Sequence, residues 1–181
     1  MPNMLDRAQH EFGHHIVGRA VGFDTGDVSA EFSATAGGYA VIITNRTVAT
    51  ISDVEQFCED RIKVLYAGVL AETLKGGVID GEAAVKLAYT TGSVDHKMVQ
   101  QLCNLLRNIR YSIETMVIAE EKMQADETRL WNEAADLVGM YASAIQDLAK
   151  ELYDRRFLAG KMAIMTEAEL RVHPLILKHF P

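Results

Sequence analysis

The chain has 181 residues, of which 49% are hydrophobic and 24% charged, and its formal net charge at pH 7 is −7. This length and composition predict a globular domain with a sizeable core and give no sign of wholesale disorder. The negative charge argues against a nucleic-acid-binding surface, which needs clustered lysine and arginine to neutralise phosphates.

The first predicted element is a helix over residues 4–21, with apolar residues at helical spacing and Gly22 as its stop signal. It carries the pattern H-E-x-x-H in His10, Glu11 and His14. Residues four apart lie one turn above each other on a helix, so both imidazoles can bind one ion. Glu11 lies beside them and can reach a metal-held water, which makes it a candidate general base. The pattern therefore predicts a catalytic zinc (Zn²⁺) site.

The residues that follow predict a small β element and then further helices. Two short strands are expected within residues 27–44, the better one over residues 39–43. Ser52 and Glu55 have the spacing of a capping box, which opens a helix that runs to about Leu74. Later helices are predicted over residues 81–89, 94–110 (capped by Ser93) and 126–158, followed by a capped turn at residues 166–169 and an end to regular structure at Pro174. The predicted fold class is mainly α, with a small β-hairpin or sheet after the first helix.

A single domain is expected over residues 1–181, in which residues 1–110 hold the zinc site and the β element. Residues 111–181 would form a helical tail packed on that part.

Cys58 and Cys103 belong to no paired motif, so we expect buried free thiols and a reducing, cytoplasmic location. Neither a signal peptide nor a run of about 20 apolar residues is found, so no membrane segment is expected.

A catalytic zinc commonly has three protein ligands and an open position for water, so a third ligand must come from beyond the first helix. The candidates are Asp95, Glu72, His96, Asp80 and Glu82. No third histidine has the downstream spacing of the metzincins, which disfavours that class. Asp95 follows a glycine break in the first turn of a predicted helix, where it could face the metal or only complement the helix N-terminus. Glu72 lies among apolar residues and needs a partner, such as the ring N–H of a ligand histidine.

Several of these segments, in this order, resemble the peptidase domain of the FtsH family of membrane-bound, ATP-dependent zinc proteases. The similar segments are residues 10–14, Gly38 with Tyr39, residues 68–72, residues 90–92 followed by Asp95, and the tail segments 158–161 and 166–170. Together they extend over nearly the whole chain. The resemblance implies a mainly helical, FtsH-like peptidase fold.

The resemblance also implies roles for individual residues. Zinc would be held by His10, His14 and Asp95, with Glu11 as the catalytic base. Glu72 would then fix the orientation of a ligand histidine. These roles follow from the family's pattern, whereas the residues alone leave the third ligand open.

Gly38 and Tyr39 would lie on a strand edge that binds an extended peptide by β-augmentation, so the implied substrates are peptides or unfolded protein segments. The sequence contains no Walker-A phosphate loop, so a separate ATPase would have to deliver folded proteins. The family forms a six-fold ring built largely by its ATPase. A homo-oligomer is therefore one expectation for this chain, and a monomer or a dimer stays open.

The chain also departs from the family's pattern. Three residues differ from those usual in the family: Phe12, His15 and Val69. The segment from Gly92 to Asp95 is also one residue shorter than in the family. His15 is expected to point away from the metal. The alternative to an enzyme is a non-catalytic regulatory or protein-binding module that retains the scaffold, and the presence of an intact catalytic base favours the enzyme.

Overall fold

The computed structural model describes residues 4–31, 37–159 and 162–181, with the side chains of all but residues 156–159. The elements are α1 (Met4–Ala20), β1 (Asp24–Glu31), β2 (Gly38–Ile43), α2 (Ile51–Glu72), α3 (Gly81–Ala88), α4 (Ser93–Arg110), α5 (Met116–Met140), α6 (Ala142–Ala159), β3 (Met162–Met165), α7 (Glu167–Arg171) and α8 (Pro174–His179). Helices account for 69% of the structure, which confirms the mainly α prediction. Among the described residues no helix is both long and apolar enough to cross a bilayer.

The sheet has three antiparallel strands in the order β2-β1-β3. Val28 in the central strand pairs with Ala40 on one side and with Met165 on the other. The two expected strands are therefore confirmed, whereas β3 was not predicted. It has only four residues and lies far along the chain from its partner, so no local hairpin pattern indicates it. Within the described residues β2 pairs with β1 alone, so β2 is an edge strand.

Helix α1 packs closely against α2, and one glycine permits the contact. A Cβ atom on Gly13 would collide with the backbone oxygen of Ala67 and would lie 2.6 Å from the Cβ of Ala71. The side-chain amide of Gln9 donates hydrogen bonds to the carbonyl oxygens of Ala71 and Leu74, each at 3.0 Å. Ala71 lies in the last turn of α2 and Leu74 just beyond it, so the two bonds join α1 to the end of α2. The two helices are thus held in a fixed relative position.

One cluster of buried apolar side chains joins the elements. It includes Phe12 and Ile16 of α1, Leu70 of α2, and Ile145 and Leu148 of α6, all with no exposed surface. Both thiols, at Cys58 and Cys103, are free and buried, as expected. The core therefore draws on residues from both the first 110 positions and the helical tail.

The capping box that opens α2 lies two residues before the predicted one. Thr50 is the N-cap residue, and its hydroxyl accepts a hydrogen bond from the Asp53 amide. The Asp53 carboxylate in turn accepts a hydrogen bond of 2.8 Å from the Thr50 amide. The prediction of Ser52 and Glu55 as the pair was wrong, because a threonine–aspartate pair with the same spacing begins the helix one half-turn earlier.

The starts of two other helices also differ from their predictions. Ser93 is the first residue of α4 rather than its cap, and the cap residue Gly92 has no side chain to make a capping bond. Pro174 does not end the regular structure but begins α8. Proline is well suited to the first helical position, where its missing N–H would have had no partner in the helix. The capped turn before it is present as α7, with Thr166 and Glu169 forming its capping box.

The long helix predicted over residues 126–158 is two helices. Helix α5 begins at Met116, ten residues earlier than expected, and the chain breaks at Tyr141 before α6. Apolar residues continue at helical spacing across Tyr141, so the periodicity alone does not reveal the break. Gly139, a poor helix former, lies two residues before it.

We predict that Gly13→Ala destabilises the protein by about 1–3 kcal/mol, because the added methyl group overpacks the contact between α1 and α2. Gly139→Ala is the matched control, since a Cβ there meets nothing within 4 Å. Alanine also favours helix, so the control should be equally stable or up to about 1 kcal/mol more stable. Urea unfolding of both variants measures the difference, and equal midpoints would contradict the close contact.

Candidate metal centre

Three side chains from distant parts of the sequence converge between α1 and the first turn of α4. The Nε2 atoms of His10 and His14 lie 3.0 Å apart, and Asp95 Oδ2 lies 3.4 Å from each of them. Ligand atoms of a tetrahedral zinc site, at about 2.0–2.1 Å from the ion, are about 3.4 Å from one another. The group could therefore hold a metal ion. Of the five candidates for the third ligand, the structure brings Asp95 to the histidines.

The outer partners of the two imidazoles determine which nitrogen atoms carry protons. His10 Nδ1 lies 2.9 Å from a Glu72 carboxylate oxygen, and His14 Nδ1 lies 2.7 Å from the carbonyl oxygen of Val64. Both partners are acceptors, so each Nδ1 must be the donor. In the neutral rings the Nε2 atoms then have lone pairs, which face each other and the Asp95 carboxylate. Such an arrangement could hold a metal ion between the three side chains, or a proton in its place.

The charges around this centre favour the same conclusion. Burial alone would lower the pKa of His10, but hydrogen bonds to Asp95 and Glu72 outweigh it and raise the pKa to about 10. Burial alone would raise the pKa of Asp95, but hydrogen bonds to His10 and His14 hold it well below its usual range. Both shifts express a preference for positive charge between the three groups, and a divalent ion would provide that charge in place of a proton.

Glu11, the second residue of the motif, lies beside the metal centre and beneath β2. It is only 7% exposed. Burial raises the pKa of its carboxyl group, and the nearby His10 and His14 oppose this rise. A Cβ atom on Gly38 would lie 2.7 Å from Glu11 Oε1, so the strand can pass this close to the carboxylate only with glycine at that position.

A glycine in α2 makes room for the imidazoles. A Cβ atom on Gly68 would lie 2.5 Å from Nε2 of His14 and 2.6 Å from Nε2 of His10. No other residue could occupy this position without moving the rings. No role of its own was predicted for Gly68. The signal that could have indicated one is its spacing four residues before Glu72, on the same face of the helix.

A second glycine brings Asp95 to the site. A Cβ atom on Gly92 would collide with the side chain of Val69, which is itself 1% exposed in α2. The start of α4 can thus approach α2 closely, and Asp95 follows three residues later in the first turn. Glu72 is the last residue of α2 rather than a mid-helix residue.

The remaining candidate ligands lie away from the three converging side chains. Asp80 caps α3, its carboxylate accepting a hydrogen bond of 3.0 Å from the Ala83 amide. Glu82 is exposed. The ring of His96 packs edge-on against Tyr89, with centroids 4.6 Å apart. In the part of the chain that the structure describes, none of these residues joins the metal-binding group.

His15 is fully buried and faces β1 rather than the metal centre. Its Nε2 lies 3.3 Å from the hydroxyl of Thr25. Burial and the nearby Arg19 lower the pKa of His15 to about 3, so the ring is neutral at pH 7. Phe12 beside it is also fully buried. These two departures from the family's pattern therefore belong to the packing of α1.

A cavity of about 540 Å³ opens over the metal centre. The two histidines, Glu11 and Asp95 line it together with residues of β2, among them Gly38 and Tyr39. Tyr39 is 44% exposed, so its ring is available to a ligand. The structure thus brings all seven sequence-derived site residues to one cavity.

Comparison of the chain with protein-family models and with curated proteins found no match.

We predict that Asp95→Ala weakens zinc binding by more than about 100-fold, since removal of an outer partner alone costs about 10–100-fold. Glu82→Ala, which removes an exposed candidate of the same type, should bind zinc as the unmodified protein does. Competition with a chromophoric chelator measures both affinities. Equal affinity in Asp95→Ala and the unmodified protein would exclude Asp95 from the ligand set.

We predict that Gly68→Ala also loses zinc affinity, although it removes no ligand, because its methyl group would occupy the space of the two imidazoles. Gly81→Ala is the control, because a Cβ there meets nothing within 4 Å. Zinc content after dialysis and the circular dichroism spectrum should be measured together. Full zinc content in a folded Gly68→Ala variant would contradict the role given to this glycine.

Proposed function

We propose that this protein is a zinc metallopeptidase with an FtsH-like peptidase fold, which hydrolyses peptide bonds in peptides or unstructured protein segments. The observation that carries the proposal is the position of Glu11, buried beside three converging ligand atoms and open to the same cavity. A metal site that served only structure would need neither an adjacent carboxylate nor a cavity. Here the chain has both.

His10, His14 and Asp95 would hold the ion. A zinc ion bound there would supply Lewis acidity, which would polarise a carbonyl group and lower the pKa of a nearby water to roughly 7. Glu11 accepts a proton from the attacking water and transfers it to the leaving amine nitrogen. Glu72 keeps the His10 ring in the orientation and tautomer that this arrangement requires.

The edge strand β2 supports a peptide as the substrate. One side of β2 pairs with β1, and among the described residues no strand pairs with its other side. Residues of β2 also line the cavity. An extended peptide can hydrogen-bond to such an edge with its backbone, and pockets beside the strand then select side chains. A folded protein cannot offer an extended strand of this kind. The substrates are therefore unfolded segments, or proteins that a separate ATPase unfolds.

The FtsH-like character rests on the order and position of the elements. Four elements line one cavity: the H-E-x-x-H helix, the strand with Gly38 and Tyr39, the helix that ends at Glu72, and the helix that begins before Asp95. These elements contain the segments on which the sequence resemblance rests. The additional β3 and the paired helices α5 and α6 complete the core behind it.

We predict that Glu11→Gln reduces peptide hydrolysis by about 100–10,000-fold, because the amide cannot accept the proton. Zinc affinity should stay within about threefold, since Glu11 is not a ligand. The assay uses zinc-loaded protein with unfolded casein and a quenched fluorogenic peptide, and Glu82→Gln at an exposed position is the control.

The outcomes of this assay separate the two classes of function. Hydrolysis that persists in Glu11→Gln would reject the mechanism. Tight zinc binding without hydrolysis of any substrate in the unmodified protein would reject the peptidase and favour a non-catalytic binding module. Loss of hydrolysis on chelation, with recovery on addition of zinc, would identify the metal as the required cofactor.

A further inference from the structure

Two arginines line the cavity over the metal centre, Arg7 of α1 and Arg61 of α2. Both are partly buried, and neither makes a hydrogen bond or an ion pair with any residue that the structure describes. Of the other described arginines, Arg19 lies over the ring of Phe180, and six form ion pairs with acidic residues. Those pairs are Arg46–Asp60, Arg107–Glu120, Arg110–Glu55, Arg129–Glu59, Arg155–Glu151 and Arg171–Glu167. The two arginines at the cavity therefore differ from the usual state of arginine in this protein.

Their positions in the helices direct both towards the reacting centre. Arg7 precedes His10 by three residues and Glu11 by four, which puts it on the same face of α1. Arg61 precedes Gly68 by seven residues, or two turns, and shares its face of α2. The guanidinium groups thus belong to two walls of the cavity that also holds the metal ligands.

The acidic residues of the cavity form no hydrogen bond or ion pair with these arginines, although Arg7 interacts electrostatically with Glu11 and Arg61 with Asp95. Glu72 binds His10, and Asp95 lies against both ligand histidines. Burial lowers the pKa of Arg61 and the nearby Asp95 opposes this, but a guanidinium stays protonated at any physiological pH. A partly desolvated guanidinium without a partner is unfavourable, so a partner from outside the chain would stabilise the site.

The balance of formal charge also favours an anionic ligand. Three carboxylates face the cavity, from Glu11, Glu72 and Asp95. A divalent ion and the two arginines together carry four positive charges. The metal-loaded cavity therefore has one positive charge in excess, which a single carboxylate would neutralise.

We propose that Arg7 and Arg61 form an anion-binding subsite that recognises a carboxylate of the peptide substrate close to the bond that is cleaved. The inference rests on the proposed peptidase function and narrows its substrate class. Guanidinium groups match the planar geometry of a carboxylate and can bind it with two parallel hydrogen bonds. The carboxylate can come from the free C-terminus of the peptide or from an aspartate or glutamate side chain.

The test compares three fluorogenic peptides of one sequence with the zinc-loaded full chain. The first is neutral with an amidated C-terminus, the second has a free C-terminal carboxylate, and the third is amidated and carries a glutamate beside the scissile bond. A hydrogen bond to a charged group contributes about 1.5–3 kcal/mol, so kcat/KM should be about 10–100-fold higher for a carboxylate-bearing peptide. The better of the two anionic peptides identifies the source of the carboxylate.

Substitution of the arginines then tests the subsite itself. In Arg7→Gln and in Arg61→Gln the ratio of kcat/KM between anionic and neutral peptides should fall towards one, mainly through KM. Arg61→Lys, which keeps the charge but loses the fork of donors, should retain part of the ratio. Arg171→Gln is the matched control, because this side chain is 73% exposed and distant from the cavity lining, and it should keep the full ratio.

Binding to catalytically impaired protein gives a second readout. Fluorescence anisotropy with Glu11→Gln should show tighter binding of the anionic peptide than of the neutral one, and addition of Arg7→Gln or Arg61→Gln should remove the difference. Equal kcat/KM for all three peptides, or a preference that survives both arginine substitutions, would overturn the subsite. If no peptide is hydrolysed the peptidase proposal fails, and the binding measurement still supports or overturns the subsite.

Discussion

The convergence of three electron-pair donors depends on two hydrogen bonds behind them. Glu72 and the Val64 carbonyl oxygen hold the Nδ1 protons of His10 and His14, so both Nε2 atoms must face inwards as acceptors. Asp95 brings a carboxylate to the same point. The outer partners belong to α2, and the converging side chains belong to α1 and α4. The distances within the site therefore depend on how these three helices pack together.

This close packing requires glycine at the positions where a side chain would collide with a neighbouring element. Gly13 lets α1 lie against α2, Gly68 leaves space for the imidazoles, and Gly92 lets the start of α4 approach. Gly38 does the same for β2 over the Glu11 carboxylate. Each of these positions has ordinary backbone angles, so the requirement is for space rather than for conformational freedom. The geometry of the candidate metal site therefore depends on glycine at these positions as well as on the three converging side chains.

The sequence predicted the elements that have a local signal and missed those that depend on distant contacts. The first helix and the two strands follow from periodicity and β-propensity, and the family resemblance implies the place of Asp95 beside the two histidines. Strand β3 and the break at Tyr141 have no such signal, because the first needs β1 as a partner and the second leaves the apolar spacing intact. The roles of Gly68 and of the unpaired arginines appear only when α1 and α2 are in contact.

Strand β3 has a consequence for the order in which the protein can mature. The central strand β1 follows the histidine ligands directly, but one of its two neighbours, Met162–Met165, lies more than a hundred residues downstream. The Asp27 carboxylate also accepts a hydrogen bond of 2.6 Å from the Glu167 amide, which ties this segment to the same strand. During synthesis on a ribosome, the candidate ligand residues would emerge long before the three-stranded sheet beside them could be completed. A nascent chain therefore carries His10, His14 and Asp95 well before β1 has both of its neighbouring strands.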